Sequence, residues 1–327
     1  MTTKTMKIVK RTMAALFTVA LLCASMLLGG CGQREAQSDP LRVAAMKGPT
    51  GMGLAYVMRE NTASYTVDLY DAPDAVTAKF INGEIDIAAV PINLASVLYN
   101  KTQGEAVLIG VNTLGVLYIL DAGDTVETLS DLAGKTLYAT GEASTPQYVL
   151  EYLLEENGLT DSVTVEYIAE HATLAGMMAA GERELAMLPE PNVSSVLVKN
   201  GDVRVALNLT EEWNKVSDTE LVQGCYIARR SVLTENAAAV RAFLKDAASS
   251  AERVVTDSDA PALIAELGIV GSAAIAEKAV PNCNIVCLTG EEMRSSAEGM
   301  LRVLYAANSS SVGGKLPEED FYFTDAQ

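Results

Sequence analysis

The 327-residue chain has one histidine, five cysteines, and 24 lysines and arginines against 42 aspartates and glutamates. Each shortage excludes something. A lone His171 with no Cys-x-x-Cys pair leaves too few ligands for a zinc site. It also leaves no Ser-His-acid or Cys-His set, so the acid–base groups an enzyme needs are not assembled. The formal charge of −18 provides no basic stripe to replace phosphate counterions, which argues against nucleic acid. It favours solubility but says little about a ligand, because charges more than about 8 Å apart are largely screened at physiological salt. The cysteines build no disulfide framework. Cys225, Cys283 and Cys287 are odd in number after the N-terminal Cys23 and Cys31. On one strand, Cys283 and Cys287 stand about 13 Å apart, beyond bridging. They read as buried free thiols.

What is present begins at the N-terminus. Lys4, Lys7, Lys10 and Arg11 precede an apolar run from Met13 through Leu28, with no acidic residue before Glu35. The run suits a signal-peptide core and is slightly short for a membrane span. It ends in Leu28-Gly29-Gly30-Cys31, which resembles the bacterial lipobox. That resemblance implies cleavage before Cys31 and a diacylglyceryl group, usually with a further acyl chain, on its sulfur. Two or more chains hold a protein at a bilayer stably. Residues 1–30 are then a signal peptide and 31–39 a polar tether. No later stretch reaches spanning length. The expected location is the extracytoplasmic face of the cell membrane.

From residue 40 onward, short apolar strands alternate with helices. Strands are predicted at Leu41–Met46, Tyr65–Tyr70, Ile85–Val90, Ala106–Val111, Val116–Leu120, Thr136–Ala139, Val163–Ile168, Leu185–Leu188, Val203–Leu207, Cys225–Ala228 and Asn284–Leu288. Helices are predicted at 51–60, 72–82, 93–99, 146–157, 172–180, 193–199, 235–255, 260–267, 273–279 and 291–307. Pro146 takes the first position of its helix, with Gly158 past the end. Thr289 and Glu292 have the spacing of a capping box. The alternation implies an α/β fold of mostly parallel sheets covered by helices on both faces.

Four strand-to-helix junctions stand out, since open parallel sheets bind ligands beyond the carboxyl ends of their strands. Lys47-Gly-Pro-Thr50-Gly51-Met52-Gly53 carries more glycine than a cap needs, so backbone can approach another molecule closely. It is neither a P-loop nor a dinucleotide fingerprint. Val90-Pro91-Ile92-Asn93 and Thr140-Gly-Glu142-Ala-Ser144-Thr145-Pro146 open helices with groups that either cap or turn to a ligand. Leu188-Pro189-Glu190-Pro191-Asn192 holds a carboxylate between two prolines. That acid is either an ordinary turn residue or a group aimed at an amine, an amidine-like ring or a hydroxyl.

The lipobox, the 47–53 turn, Gly83-Glu-Ile-Asp-Ile-Ala-Ala-Val-Pro91, Leu188-Pro-Glu-Pro191 and the tail Val312-Gly-Gly-Lys-Leu-Pro-Glu-Glu-Asp-Phe-Tyr322 resemble solute-binding lipoproteins of ABC importers. The group in question handles nitrate, sulfonates, taurine and thiamine-type pyrimidines. The resemblance implies a two-lobed periplasmic-binding-protein fold of type II. Lobe one is 40–119 plus 224–323 and lobe two is 120–223, with Val116–Leu120 and Cys225–Ala228 as the crossing strands. Hinge closure over a small molecule is a known mode for such proteins. Lys47, Thr50, Gly51, Met52, Pro91 and Asn93 would line the cleft from lobe one, and Ser144, Thr145, Glu190 and Asn192 from lobe two. The implied partners are a small-molecule ligand and the permease and ATPase subunits; no cofactor is implied, and the protein is expected to be a monomer.

None of the junctions contains an arginine, and Glu190 and Glu142 oppose a fully anionic ligand. The residues therefore point to a neutral or cationic nitrogenous compound, with Tyr138, Tyr148 and Trp213 as candidate stacking rings. A sulfonate, taurine or nitrate binder, a same-fold enzyme such as a pyrimidine-precursor synthase, and a non-transport sensor stay open as alternatives.

Overall fold

The computed structural model describes residues 39–324. The signal segment, Cys31 and the tether as far as Ser38 lie outside the described residues. The strands run β1 (Leu41–Met46), β2 (Tyr65–Tyr70), β3 (Ile87–Pro91), β4 (Ala106–Thr113), β5 (Leu117–Asp121), β6 (Thr136–Ala139), β7 (Thr164–Tyr167), β8 (Leu185–Pro189), β9 (Arg204–Asn208), β10 (Gly224–Arg229) and β11 (Ile285–Leu288). They form two sheets, a six-stranded one ordered β11-β4-β10-β3-β1-β2 and a five-stranded one ordered β7-β6-β8-β5-β9. β1, β2, β3 and β4 share one direction, with β10 and β11 opposed; β6, β7, β8 and β9 share one direction, with β5 opposed. Each lobe is thus a mostly parallel sheet flanked by helices.

The sequence accounts for this locally. β3 and the Ala106–Val111 part of β4 are apolar runs that are buried along nearly their whole length, as strands covered on both faces must be. Three helices stop at glycines in the left-handed region: Gly83 at φ 75°, Gly158 at 66° and Gly181 at 74°. At each, the next residue's N–H reaches five positions back, as Glu84 to Lys79 at 2.9 Å, Leu159 to Leu154 at 2.8 Å and Glu182 to Met177 at 2.9 Å. This is the Schellman arrangement, which a side chain at the glycine would strain.

The crossings differ from expectation. Both Val116–Leu120 and Cys225–Ala228 were expected to span the lobes. Instead, β5 lies wholly in the second sheet, paired with β8 over its full length, and β10 lies wholly in the first. The chain changes sheet over Leu114–Val116 and returns over Ser217–Gln223, so the boundary expected between 119 and 120 falls earlier. Backbone pairing decides this, because β5 satisfies its N–H and C=O groups on β8 and β9. Gly115 makes the first crossing possible: a Cβ there would stand 2.0 Å from Thr210 Oγ1 and 2.9 Å from Leu221.

Other elements also differ. The helix expected at 51–60 breaks at Gly53-Leu54 into Pro49–Met52 and Ala55–Glu60. A helix at Leu209–Val216 was not expected. Arg230–Thr256 contains a kink at Asn236, whose Oδ1 accepts from Ala239 N at 3.2 Å and caps the second segment. Pro146 takes the second helical position, after Thr145. The capping box at Thr289 is absent, because Gly290 at φ 60° turns the chain out of capping geometry and no side-chain cap bond forms. One apolar core runs continuously through the crossings, from Leu108 and Cys225 in the first lobe past Leu221 and Val222 to Leu117 and Trp213 in the second.

Candidate interlobe site

The four junctions face one another in pairs across the lobes. In one pair, Asn93 opens its helix from Pro91, at the end of β3, and Thr145 opens the helix Thr145–Glu156. Thr145 Oγ1 donates to Asn93 Oδ1 at 3.1 Å, and Asn93 Nδ2 donates to the Ser311 carbonyl at 3.5 Å. In the other pair, Gly48 at φ 95° brings its α-carbon against Pro191, where a Cβ would be 3.6 Å from the ring. A third bridge was not read from the sequence. Tyr118 on β5 donates its hydroxyl to the Asn282 carbonyl at 2.9 Å.

Glu190 is the buried acid of the fourth junction. It leaves β8 through Pro189, is 2% exposed, and donates its N–H to the Val116 carbonyl on the first crossing at 2.9 Å. Its carboxyl accepts from Ser194 N at 3.0 Å and Ser194 Oγ at 2.9 Å. Burial outweighs these bonds and pushes its pKa up to about 7. It pairs with no cation among the described residues. Its field reaches both Tyr118 and Cys283, where burial first and this charge second raise the hydroxyl and the thiol above their ordinary ranges. Tyr118 thus bridges the lobes beside Glu190, although no motif marks it.

The remaining expected residues divide. Lys47 does not aim at the cleft; Nζ holds Asp71 at 2.9 Å in solvent. Gly51 packs on the end of β1, where a Cβ would be 2.7 Å from the Met46 carbonyl. Met52 is fully buried in a lobe-one cluster with its sulfur 3.8 Å from Cys283 Sγ. Thr50 is half-buried and donates to the Met46 carbonyl at 3.0 Å. Pro91 pairs with Gly224 at the sheet end. Ser144 does not cap its helix but donates to the Gly141 carbonyl at 2.8 Å. Asn192 opens the helix Asn192–Lys199 beside Glu190. Of the candidate stacking rings, Trp213 and Tyr148 are core residues, and Tyr138 lies under Arg183 at 4.4 Å. At the start of the third junction, Thr140 Oγ1 lies 2.7 Å from His171 Nδ1, and burial lowers the pKa of that imidazole.

Cys225 and Cys283 are buried and Cys287 half-buried; all are free. Among the described residues, no cluster of His, Cys, Asp or Glu could hold a metal ion. No described helix is long and apolar enough to cross a membrane.

Two sheets joined by two crossings, with facing strand-end loops, make a two-lobed α/β protein of the periplasmic-binding type. The chain belongs to the family described as "ABC transporter, phosphonate, periplasmic substrate-binding protein", which matches residues 52–279. No curated protein sequence matches the chain. Among solved structures, an ABC transporter protein from Parabacteroides distasonis is similar at 24% identity and TM-score 0.76, over 88% of this chain and 100% of that one. The periplasmic aliphatic sulphonate binding protein SsuA from Escherichia coli follows at 18% identity and TM-score 0.67, over 86% and 92%. The desulfurization enzyme DSZB shares the fold at 12% identity and TM-score 0.62, over 88% and 97%. At these identities the likeness to solved structures establishes the fold.

Proposed function

We propose that this chain is the lipid-anchored, extracytoplasmic receptor of an ABC importer. Its two lobes close over a neutral or cationic nitrogenous compound, such as a thiamine-type pyrimidine, and deliver it to permease and ATPase subunits. The observation that carries the ligand reading is Glu190, a buried carboxyl without a cation partner among the described residues. A donor or cation from the ligand supplies what the protein does not, in a closed cleft where each polar contact is strengthened by the exclusion of water. Thr50, Pro91, Asn93, Ser144, Thr145 and Asn192 are the proposed rim.

A second reading takes an organic phosphonate or sulfonate, in keeping with the names of the family and of SsuA. One feature favours it: the helix Thr145–Glu156 begins without a side-chain cap, and its N-terminus suits an oxyanion. An aminoalkyl phosphonate or taurine would satisfy both ends at once.

The test is titration calorimetry with 4-amino-5-hydroxymethyl-2-methylpyrimidine, 2-aminoethylphosphonate, taurine, methanesulfonate and nitrate. Compounds with a basic nitrogen are expected to bind, and Glu190→Gln to weaken them. Tight binding of methanesulfonate, unaffected by that substitution, overturns the reading. A genuine ligand at 100 times its Kd also adds roughly 2.7 kcal/mol of stability. Turnover of a bound compound would favour the enzyme alternative, and undiminished uptake in a deletion strain the sensor. The anchor is tested separately: Cys31→Ser is expected to move the protein from the membrane to the soluble fraction.

A further inference from the structure

Asn112 and Gln223 are two buried amides, 1% and 9% exposed, set where the two crossings meet. Asn112 sits near the end of β4, just before the first crossing. Gln223 is the last residue of the second crossing; its N–H donates to the Thr113 carbonyl at 3.0 Å and its carbonyl accepts from Ile92 N at 3.1 Å. The second crossing is thereby bound both to β4 and to the 91–93 junction. The hydroxyl of Thr113 donates to Asn112 Oδ1 at 2.9 Å, and in this arrangement of the amide Nδ2 is the free donor. Among the described residues neither Asn112 Nδ2 nor Gln223 Nε2 has an acceptor.

The side chain of Asn112 lies directly over Gly224. A Cβ at Gly224 would be 2.6 Å from Asn112 Oδ1 and 2.8 Å from Thr50 Cγ2. Asn112, Thr50 and Gly224, with Pro91 paired to Gly224, thus meet at one point beside the two crossings. From the other lobe, Glu190 is fastened to the same crossing through Val116. A hinge needing only to pack has no use for two unsatisfied donors, since leaving a buried donor without a partner is costly.

We propose that Asn112 and Gln223 form a donor pair for an acceptor group of the bound molecule. The ligand is then bipolar: a carbonyl, ring nitrogen or oxyanion faces the hinge amides, and a donor or cationic group faces Glu190. This rests on the reading of the interlobe cleft as the binding site, and it adds a specificity element that neither the four junctions nor Glu190 provides.

The test uses the full chain titrated with 4-amino-5-hydroxymethyl-2-methylpyrimidine and with 2-aminoethylphosphonate, both of which carry an acceptor end and a basic end. Asn112→Asp and Gln223→Glu replace each donor by an acceptor of the same shape, and Gln223→Met removes it. Each is expected to weaken the bound probe about tenfold or more, with the ligand-free melting temperature of Gln223→Met close to that of the parent. If the parent binds a probe and Glu190→Gln weakens it while the amide variants bind as the parent does, the amide pair is overturned and the cleft reading stands. If the parent binds neither probe, the bipolar ligand is overturned together with the reading it rests on.

Discussion

Thr145 and Asn93 join the two lobes through one hydrogen bond, Thr145 Oγ1 to Asn93 Oδ1 at 3.1 Å, between side chains only 1% and 7% exposed. Each stands at the start of a helix that follows a strand, so the contact links the working ends of two sheets rather than their flanks. A net intramolecular hydrogen bond contributes about 0.5–1.5 kcal/mol, enough to shift a hinge equilibrium whose two states lie close in energy.

Thr145→Val keeps the shape and removes the donor. The ligand-free protein is expected to spend more time open, seen as a larger radius of gyration by small-angle scattering. Ligand affinity should fall by up to about tenfold, since closure must then be driven by the ligand. An unchanged scattering profile together with unchanged affinity would mean that the pair holds nothing shut.

Gly115→Ala addresses the first crossing. The added methyl would stand 2.0 Å from Thr210 Oγ1, so either Thr210 or the crossing must move. Overpacking of this kind costs about 1–3 kcal/mol. Thr210→Ala removes the obstructing atom, which is itself a buried hydroxyl without a partner among the described residues. The double variant is therefore expected to recover most of the lost stability in urea unfolding. Additive losses would place the strain elsewhere.

Tyr118→Phe removes the hydroxyl that reaches Asn282 from the other lobe at 2.9 Å. The ring stays buried, so the expected loss in unfolding free energy is modest, about 0.5–1.5 kcal/mol. The Asn282 carbonyl loses its donor, and the 280–284 segment should exchange its amide hydrogens faster. Unaltered exchange there would show that the bond does not tether that segment.

Much of this architecture was legible because local signals agree. The strands Leu41–Met46 and Tyr65–Tyr70 and the helix Ala273–Ala279 match expectation residue for residue, each being an unbroken periodic run between polar or glycine-bearing breaks. The helix Leu209–Val216 escaped because it is only eight residues long, although Leu209, Trp213 and Val216 stand at helical spacing on one apolar face. Its start was nonetheless marked: Asn208 accepts from Thr210 N at 3.0 Å, with Glu211 and Glu212 in the first turn. Between the lobes, the strand-end loops were legible as junctions, whereas the places of Tyr118, Asn112 and Gln223 beside the crossings were not. The path of the crossings sets where they stand, and no spacing in the sequence encodes it. The ion pair of Lys47 was hidden for a related reason, since Asp71, its partner, follows the neighbouring strand.

The last prediction concerns pH. Glu190 titrates near 4.5 when unfolded, while burial raises it to about 7 in the folded protein. Between those values the folded state holds a proton that the unfolded state has released. Stability from this group is therefore complete below about 4.5, declines as the pH rises through about 7, and is level above. Each tenfold difference in proton affinity between the two states corresponds to ~1.36 kcal/mol, so the loss is on the order of 1–3 kcal/mol. Glu190→Gln carries no such proton. Relative to the variant, the parent should therefore lose several degrees of melting temperature between about pH 5 and pH 8, at about 2–4 °C per kcal/mol. Parallel curves would remove Glu190 as their source. The same proton reports on the ligand. A cation seated on Glu190 favours the carboxylate, so binding at about pH 6.5 should release a proton, and the apparent enthalpy should differ between phosphate and Tris buffers. A neutral ligand that hydrogen-bonds the protonated acid releases none, which separates the two halves of the proposed ligand class.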